Sequence, residues 1–141
     1  MRVRCERFLS TLGSKDGRET ESGPGGLTKG TEYLVLSFCV DQHPVSGILS
    51  VRLLLLDDYR RPQWAAAAMF SVTRGDIPST WRTWITPAGE WELSPAAWQS
   101  DGFWGHYHGT DTELVVSAHE IFRQELAAME AEDAYDKEAG P

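Results

Sequence analysis

Residues 27–41, LTKGTEYLVLSFCVD, form the stretch that decides the fold. From residue 32 to residue 41 the chain is almost continuously apolar and rich in valine, aromatic and cysteine side chains, which favours a strand over a helix. Such a run has no polar side to offer to water, so we expect a central strand that is covered on both faces. Gly30, just before it, can adopt the positive φ that a tight turn requires. Residues 27–30 are therefore predicted to form a turn.

Further β-type runs lie on both sides of this strand. Residues 3–8 alternate apolar and charged side chains with the period of two that a half-buried strand shows, and residues 48–56 form a second apolar run. Turn-forming residues at 57–62 and 87–89 have the composition of hairpin connections. We predict strands at residues 3–8, 32–41, 48–56, 70–73, 80–85 and 91–93.

The segments between these strands have less regular patterns. Residues 10–26 are rich in Gly, Ser and charged side chains and are predicted to form a mobile loop. Residues 64–69 combine alanines with a length of about one helical turn, which indicates a short irregular crossing. Ser94 is suited to cap a short helix over residues 95–98. An aromatic segment bounded by glycines follows at residues 102–109.

The C-terminal part of the chain has a helical period. Thr110 and Glu113, three residues apart, form a capping box. Apolar residues then recur at three- and four-residue spacing, namely Leu114, Val115, Ala118, Ile121, Phe122, Leu126 and Met129. This stripe predicts one long helix that packs on the sheet. Residues 131–141 are acidic and lack the stripe, so we expect a disordered tail there.

Composition is typical of one globular domain. The chain has 141 residues, 41% of them hydrophobic and 24% charged, and we predict a single α+β domain over residues 1–130. The apolar run at 48–56 is far shorter than the roughly 20 residues of a membrane span. Residues 1–8 carry charges where a signal peptide has its apolar stretch. We therefore expect a cytoplasmic protein with reduced Cys5 and Cys39 and no membrane partner.

The negative charge lies in the C-terminal third. Residues 1–26 contain five basic and four acidic groups, residues 27–93 six and seven, and residues 94–141 two and ten. Nucleic-acid binding draws on Lys and Arg that release counterions, so we expect no nucleic-acid partner for this end. A basic protein would be attracted to it. An acidic face that is merely solvated is the alternative.

Several of these segments together resemble a known group of proteins. The stretch at 27–36 resembles the second strand of small SH3-like barrels found in uncharacterised bacterial and phage proteins, where a short Cys-containing strand precedes it. The further matching segments are residues 3–5, 53–58, 70–72, 77–81, 95–98 and 102–104. The resemblance implies a bent antiparallel SH3-like sheet with a hairpin extension and a long C-terminal helix. It also implies a toxin-immunity function, since small acidic proteins of this kind are often immunity proteins. The long loop at 10–26 departs from the compact start of these barrels.

Catalytic signatures are weak throughout the chain. His106, His108, His119 and Glu120 could supply zinc ligands, which leaves a zinc-dependent enzyme or metal-binding protein as the alternative function. However, His119 has no second His four residues on, as a helical zinc-protease motif requires. A nucleic-acid adaptor is a third possibility, through Arg52, Arg60, Arg61 and Arg74. We predict no enzyme, no cofactor and no metal.

The six Trp residues are the more informative feature, because five of them fall within residues 81–104. Trp81 and Trp84 are three apart on a predicted strand and therefore point to opposite faces, so one of them is expected to be partly exposed. Aromatic anchors inside a charged rim are typical of protein interfaces, although aromatic rings also fill small cores. We predict a non-catalytic module that binds and occludes a basic protein such as a toxin domain. Its predicted contact residues are Trp84, Trp98, Asp101, Phe103, Trp104, Tyr107, Asp111 and Glu113.

Overall fold

The computed structural model describes residues 1–8, 25–42, 47–100 and 102–139, with side chains up to Tyr135. The chain is of the α+β class, with antiparallel strands and one long C-terminal helix, as predicted. It divides into two compact units, Met1–Ile77 (the N-terminal unit) and Pro78–Pro141 (the C-terminal unit). The single domain over residues 1–130 stays a prediction. The predicted loop at 10–26 lies outside the described residues except for its last two glycines.

The N-terminal unit contains five antiparallel strands in the order β4-β3-β2-β1-β5. They are β1 (Arg2–Cys5), β2 (Glu32–Gln42), β3 (Leu49–Leu56), β4 (Pro62–Ala66) and β5 (Phe70–Arg74). Within the described residues β4 and β5 lie at opposite ends of this order and do not pair, so the path is open. The SH3-like character of the sheet stays a prediction.

Strand β2 is central in this order because its side chains are apolar on both faces. It pairs with β1 on one side and with β3 on the other. Val35 and Leu36, which point to opposite faces, are both fully buried. A shift of register between Val35 and Ser37 marks an irregularity in the pairing with β3. The predicted central strand is confirmed.

The predicted turn at 27–30 is confirmed and is tied to the β3–β4 hairpin. Gly30 has a φ of 83°, which a residue with a side chain adopts only at a cost. The Tyr33 hydroxyl donates to the Asp58 carboxylate (2.8 Å) and accepts from the amide of Thr28 (2.6 Å). The Thr28 hydroxyl also donates to Asp58, at 2.6 Å. Asp58 therefore joins two turns.

The irregular crossing predicted at 64–69 is wrong in its first half. Residues Pro62–Ala66 form β4, and only Ala67–Met69 form a turn of 3-10 helix before β5. Trp64 pairs with Leu54 and Ala65 with Leu53, so the ladder of β3 supplies partners for this backbone. Pairing with a neighbouring strand outweighs the helix propensity of the alanines.

The C-terminal unit begins with a hairpin and continues with helices. Its elements are β6 (Trp81–Ile85), β7 (Trp91–Pro95), a 3-10 turn (Ala96–Trp98), α1 (Phe103–Tyr107) and α2 (Thr112–Ala139). Strands β6 and β7 pair antiparallel, which confirms the predicted hairpin. The prediction that Ser94 caps a helix is wrong, because Ser94 lies buried in β7 and its carbonyl accepts a hydrogen bond from the Gln99 side chain (3.0 Å).

Helix α2 is the predicted long helix, with two corrections at its ends. The amide of Leu114 donates to the Asp111 carboxylate at 3.2 Å, so Asp111 and not Thr110 caps the helix. The helix continues to Ala139, so the disordered tail predicted from residue 131 is wrong for residues 131–139. The Glu132 carboxylate accepts from the amide and the hydroxyl of Ser79 (3.0 and 3.1 Å), which anchors this late part of the helix.

The stripe of α2 packs within the C-terminal unit. Ala118, Phe122, Leu126 and Met129 are buried, whereas Leu114 at the start of the stripe is 43% exposed. Met129 contacts β6, where its sulfur accepts the indole N–H of Trp81 at 3.2 Å. Among the described residues, neither helix combines the length and apolar character that crossing a bilayer demands.

Candidate functional site

A cluster of aromatic rings forms the core of the C-terminal unit. Trp98 is 2% exposed and stacks on Phe122 of α2, with 5.0 Å between ring centroids. The Trp98 ring also stacks with the Phe103 ring, at 6.2 Å between centroids, and contacts the Trp104 ring edge-on, at 5.7 Å. Trp98 lies at the end of the 3-10 turn, and Phe103 and Trp104 lie at the start of α1. Trp98 and Trp104 both contact Phe122 of α2. Each ring of the cluster contacts several others in stacked or edge-on arrangements.

Two residues of the predicted contact patch belong to this core. Trp98 and Phe103 (4% exposed) are largely buried, although both border the groove described below, and their role as partner contacts stays a prediction. The aromatic pattern alone did not separate rings that fill a core from rings that line a surface. Both residues form the floor beneath the rings that remain accessible.

A groove of ≈ 240 Å³ lies over this floor. Its walls come from the β6–β7 hairpin and from the turn and helix that follow. It is lined by Trp84, Thr86, Pro87, Glu92, Trp98, Ser100, Gly102, Phe103, Trp104 and Gly105. Gly102 has a φ of 82°, and this left-handed residue turns the chain into α1. The groove therefore exists because a hairpin and a short helix are joined by a glycine turn above an aromatic core.

Strand register places an aromatic ring and a carboxylate together in this groove. Trp84 and Glu92 are directly paired across the β6–β7 hairpin, so their side chains leave the same face. Both are half-buried. Trp81, three residues before Trp84, is buried on the opposite face, which confirms the predicted opposition of these two indoles.

Charge around the groove is negative. The C-terminal unit contains twelve acidic and three basic residues, whereas the N-terminal unit contains nine and ten. The residues that line the groove include one carboxylate, that of Glu92, and no Lys or Arg. Asp101, a predicted contact residue next to the groove in sequence, lies outside the described residues.

The indole nitrogens of Trp98 and Trp104 are a second notable property of the lining rings. Both are buried and have no hydrogen-bond partner among the described residues. Leaving a buried donor unpaired costs about 1–3 kcal/mol.

Tyr107 joins the two helices of the unit. Its ring stacks on His119 with 4.2 Å between centroids, and its backbone oxygen lies 3.0 Å from Nε2 of His119. Burial raises the pKa of the Tyr107 hydroxyl. This predicted contact residue is half-buried and does not line the groove. Its contacts identify it as a link between α1 and α2.

The two predicted acids Asp111 and Glu113 also lie away from the groove. Asp111 caps α2, and Glu113 lies exposed in the first turn of that helix. Glu113 borders a shallow surface formed by one face of α2, together with Val116 and Glu120. Of the eight predicted contact residues, the structure brings Trp84, Trp98, Phe103 and Trp104 together and places these two acids elsewhere.

The histidines do not form a metal site within the described residues, which leave out His43. No group of three or more His, Cys, Asp or Glu side chains is placed there to hold an ion. His106 and His108 are exposed on α1 and just after it, while His119 is engaged with Tyr107. The zinc-dependent alternative therefore has no ligand set in this part of the chain.

The remaining candidates for chemistry have structural roles. Cys5 and Cys39 are buried thiols, and burial raises the pKa of Cys5. The carboxylate of Asp57 accepts from the amides of Tyr59 (2.9 Å) and Arg61 (2.8 Å), which closes the β3–β4 turn. Asp57 and Asp58 thus act as turn formers.

One residue of the site, Glu92, was missed by the patterns in the sequence. Glu92 belongs to the groove, and Trp91 is 59% exposed on the other face of the hairpin, paired with the exposed Ile85. The signal that identifies Glu92 is hairpin register: once the turn is placed at 87–89, Trp84 and Glu92 fall opposite each other.

Comparisons of the chain with protein-family models, with curated proteins and with solved structures find no match in any of the three. The resemblance to uncharacterised bacterial proteins with SH3-like barrels therefore rests on sequence pattern alone.

Proposed function

We propose that this chain is a non-catalytic module that binds a basic protein through the groove of its C-terminal unit. The observation that carries the proposal is the combination of partly exposed indoles, Trp84 and Trp104, with the carboxylate of Glu92 in a groove that has no basic lining residue. Aromatic anchors on a rigid floor supply affinity with little loss of side-chain freedom. The surplus of twelve acidic over three basic residues in the same unit raises the rate of encounter.

The buried rings favour this function through preorganisation. Trp98 and Phe103 are held by stacking and support the groove from below. A groove whose floor is fixed before binding avoids the cost of ordering it upon binding. Trp98 and Phe103 therefore hold the more exposed contact residues in position from the base of the groove.

The finer form of the proposal is an immunity protein that occludes a toxin domain in the cytoplasm. The support for it is the resemblance of residues 27–36 and the matching segments to SH3-like barrels, together with the acidic C-terminal unit. In this form the five-stranded sheet of the N-terminal unit is a variant of the SH3-like sheet. Occlusion of an active site requires binding only, with no catalytic residue.

Co-expression with the protein encoded next to this chain tests the proposal. If that neighbour has a basic, toxic C-terminal domain, the chain is expected to restore growth and to bind the isolated domain. Trp84→Ala is expected to weaken binding, because it removes a groove indole, whereas Trp91→Ala, on the opposite hairpin face, is the matched control. Association rates should fall as salt rises, since exposed charges are screened.

Two results would contradict the proposal. A non-toxic neighbour that the chain does not bind removes the immunity form. Binding that survives Trp84→Ala and is independent of salt removes both the groove and the acidic field as the basis of recognition.

A further inference from the structure

We propose that the outer edge of strand β6, at residues 83–85, receives an extended segment of the basic partner as an added antiparallel strand. This inference rests on the proposed function and specifies how the chain holds its partner. It combines an open backbone edge, an exposed apolar side chain on that edge and the acidic character of the C-terminal unit.

Strand β6 has an outer edge. Within the described residues it pairs with β7 and with no other strand. The amide of Thr86 donates across the hairpin (2.9 Å), and the carbonyl of Thr80 accepts across it (3.4 Å). Because hydrogen-bonded residues alternate along an antiparallel pair, the even-numbered residues of β6 direct their backbone groups to β7. The N–H and C=O groups of Thr83 and Ile85 therefore point away from the hairpin.

This edge is closed at its start and open further along. The amide of Trp81 donates to the carbonyl of Pro78 (3.1 Å), and the carbonyl of Trp81 accepts from the guanidinium of Arg82 (2.7 Å). Thr83 is exposed, and Ile85 is 63% exposed. A row of open N–H and C=O groups is a template for pairing with another chain. Within the described residues, β6 offers this template at Thr83 and Ile85.

Side chains on both faces of the edge suit an added strand. In an antiparallel pair, the residue opposite Ile85 lies on the same face, so an apolar side chain is favoured there. The next residue along the added strand falls on the other face, beside Trp84 at the border of the groove. An added strand lies two strand spacings, about 10 Å, from β7, so Trp91 stays outside its contacts.

Charge indicates which occupant the edge takes. The C-terminal unit contains twelve acidic and three basic residues, so a second copy of this chain brings like charge, whereas a basic segment is attracted. Strands β4 and β5 also end the strand order, but their unit contains nine acidic and ten basic residues and lacks this attraction. The favoured occupant is therefore a partner segment in which basic and apolar side chains alternate.

Peptide titration of the ¹⁵N-labelled chain tests the inference. The probe is a short peptide in which lysine and valine alternate, and its acidic counterpart has glutamate in place of lysine. Binding is followed through the amide signals of Thr83 and Ile85 and through their hydrogen exchange. At a lysine peptide concentration about ten times the dissociation constant, exchange of both amides is expected to slow by about tenfold, because about one chain in ten is free. The acidic peptide should bind at least about tenfold more weakly.

N-methylated peptides distinguish strand pairing from other contacts. In the expected register the valine amides donate to the carbonyls of Thr83 and Ile85, whereas the lysine amides point to solvent. Methyl groups on the valine nitrogens are therefore expected to weaken binding by about tenfold, and methyl groups on the lysine nitrogens by less than about threefold. Loss of binding upon lysine methylation alone overturns the antiparallel register.

Variants of the chain assign the effect to the edge of β6. Thr83→Pro removes an outward N–H at a position where an edge strand tolerates proline, and it is expected to weaken peptide binding about threefold to tenfold. Trp91→Ala, on β7, is the matched control and should leave the affinity unchanged. The methylated peptides carry the test if Thr83→Pro does not fold.

The outcomes separate this inference from the proposed function. Binding that shifts the Trp84 indole signal, ignores methylation and leaves exchange at Thr83 and Ile85 unchanged overturns the added strand and leaves the groove as a site for basic partners. No change at either place overturns the added strand, whereas co-expression with Trp84→Ala still decides the proposed function. Dimerisation of the chain alone that Thr83→Pro abolishes assigns the edge to a second copy and overturns the partner segment.

Discussion

The two units of the molecule use arginine, aromatic rings and carboxylates in opposite ways. In the N-terminal unit Arg52 and Arg61 each lie over a ring and pair with an aspartate, so these groups stabilise the fold itself. In the C-terminal unit Trp84 and Glu92 line a groove to which no described arginine contributes. The comparison teaches that rings and carboxylates of the N-terminal unit hold arginines of the same unit in place, whereas Trp84 and Glu92 of the C-terminal unit border a groove.

The largest expected effect comes from a substitution in the aromatic core of the C-terminal unit. Trp98→Ala is expected to lower the free energy of unfolding by about 3–5 kcal/mol, because it leaves a cavity beneath Phe103, Trp104 and Phe122. Urea unfolding followed by near-UV circular dichroism measures it. Trp91→Ala, which removes a 59% exposed indole, should cost less than about 1 kcal/mol. Equal costs for the two variants would mean that Trp98 is not the centre of this core.

The next largest effect comes from a substitution in the β3–β4 turn of the N-terminal unit. Asp57→Asn is expected to cost about 2 kcal/mol at neutral pH, because it weakens charge-assisted hydrogen bonds to Tyr59 and Arg61. Burial by itself would raise the pKa of Asp57, but the hydrogen bonds from Arg61 and Tyr59 outweigh it and the pKa is lowered.

The pH dependence of Asp57 follows from that direction. A carboxyl whose pKa is lowered in the folded state stabilises it fully above the usual value of 3.8, and the stabilisation is lost as the pH falls through the lowered value. The difference in unfolding free energy between the wild type and Asp57→Asn should therefore shrink as the pH falls below about 4. A difference that grows on acidification would show that the pKa is raised.

A smaller effect tests which acids of the C-terminal unit have structural roles. Asp111→Ala should destabilise the chain by about 1 kcal/mol, because the amide of Leu114 loses its capping acceptor. Thr110→Ala should cost only a few tenths of a kcal/mol. Thermal unfolding of the two variants makes the measurement. The reverse order would restore Thr110 as the cap.

The smallest expected effect comes from replacing Arg52 of the N-terminal unit by lysine, which keeps the positive charge but changes the shape of the cation. Arg52→Lys retains the attraction to Asp41 but loses planar stacking on Trp64, and we expect a cost of about 0.5–1 kcal/mol. Arg4→Lys is the control, since the Arg4–Glu32 pair is largely exposed and should contribute almost nothing. Urea unfolding at low and high salt measures both. An identical cost for the two changes would remove stacking as the distinguishing feature.

Much of the fold could be predicted because local patterns determine it. The apolar run at 32–41 required a covered strand, the turn residues at 87–89 defined a hairpin, and the stripe from Leu114 to Met129 defined a helix. The crossing at 64–69 could not be predicted correctly, because its alanines favour helix while its strand state depends on pairing with β3. Likewise, the helix beyond residue 130 depends in part on a contact of Glu132 with distant Ser79.

The candidate site could be predicted only in part. Sequence spacing separates Trp81 from Trp84, because strand parity assigns them to opposite faces. Sequence spacing does not show that Trp98 and Phe103 are more buried than Trp104, because the burial of these rings depends on where α2 packs. Glu92 was within reach of the same parity argument, whereas Asp111 and Glu113 could be located only once the start of α2 was known.

The range of tryptophan environments gives the chain a set of optical reporters. The indole of Trp91 is open to solvent, whereas that of Trp98 is sealed by stacked rings. Trp91 also belongs to the unit with the surplus of carboxylates, so a neutral quencher such as acrylamide should reach it more readily than iodide, and caesium more readily still. Fluorescence quenching can therefore register the sign of the local field without any added label.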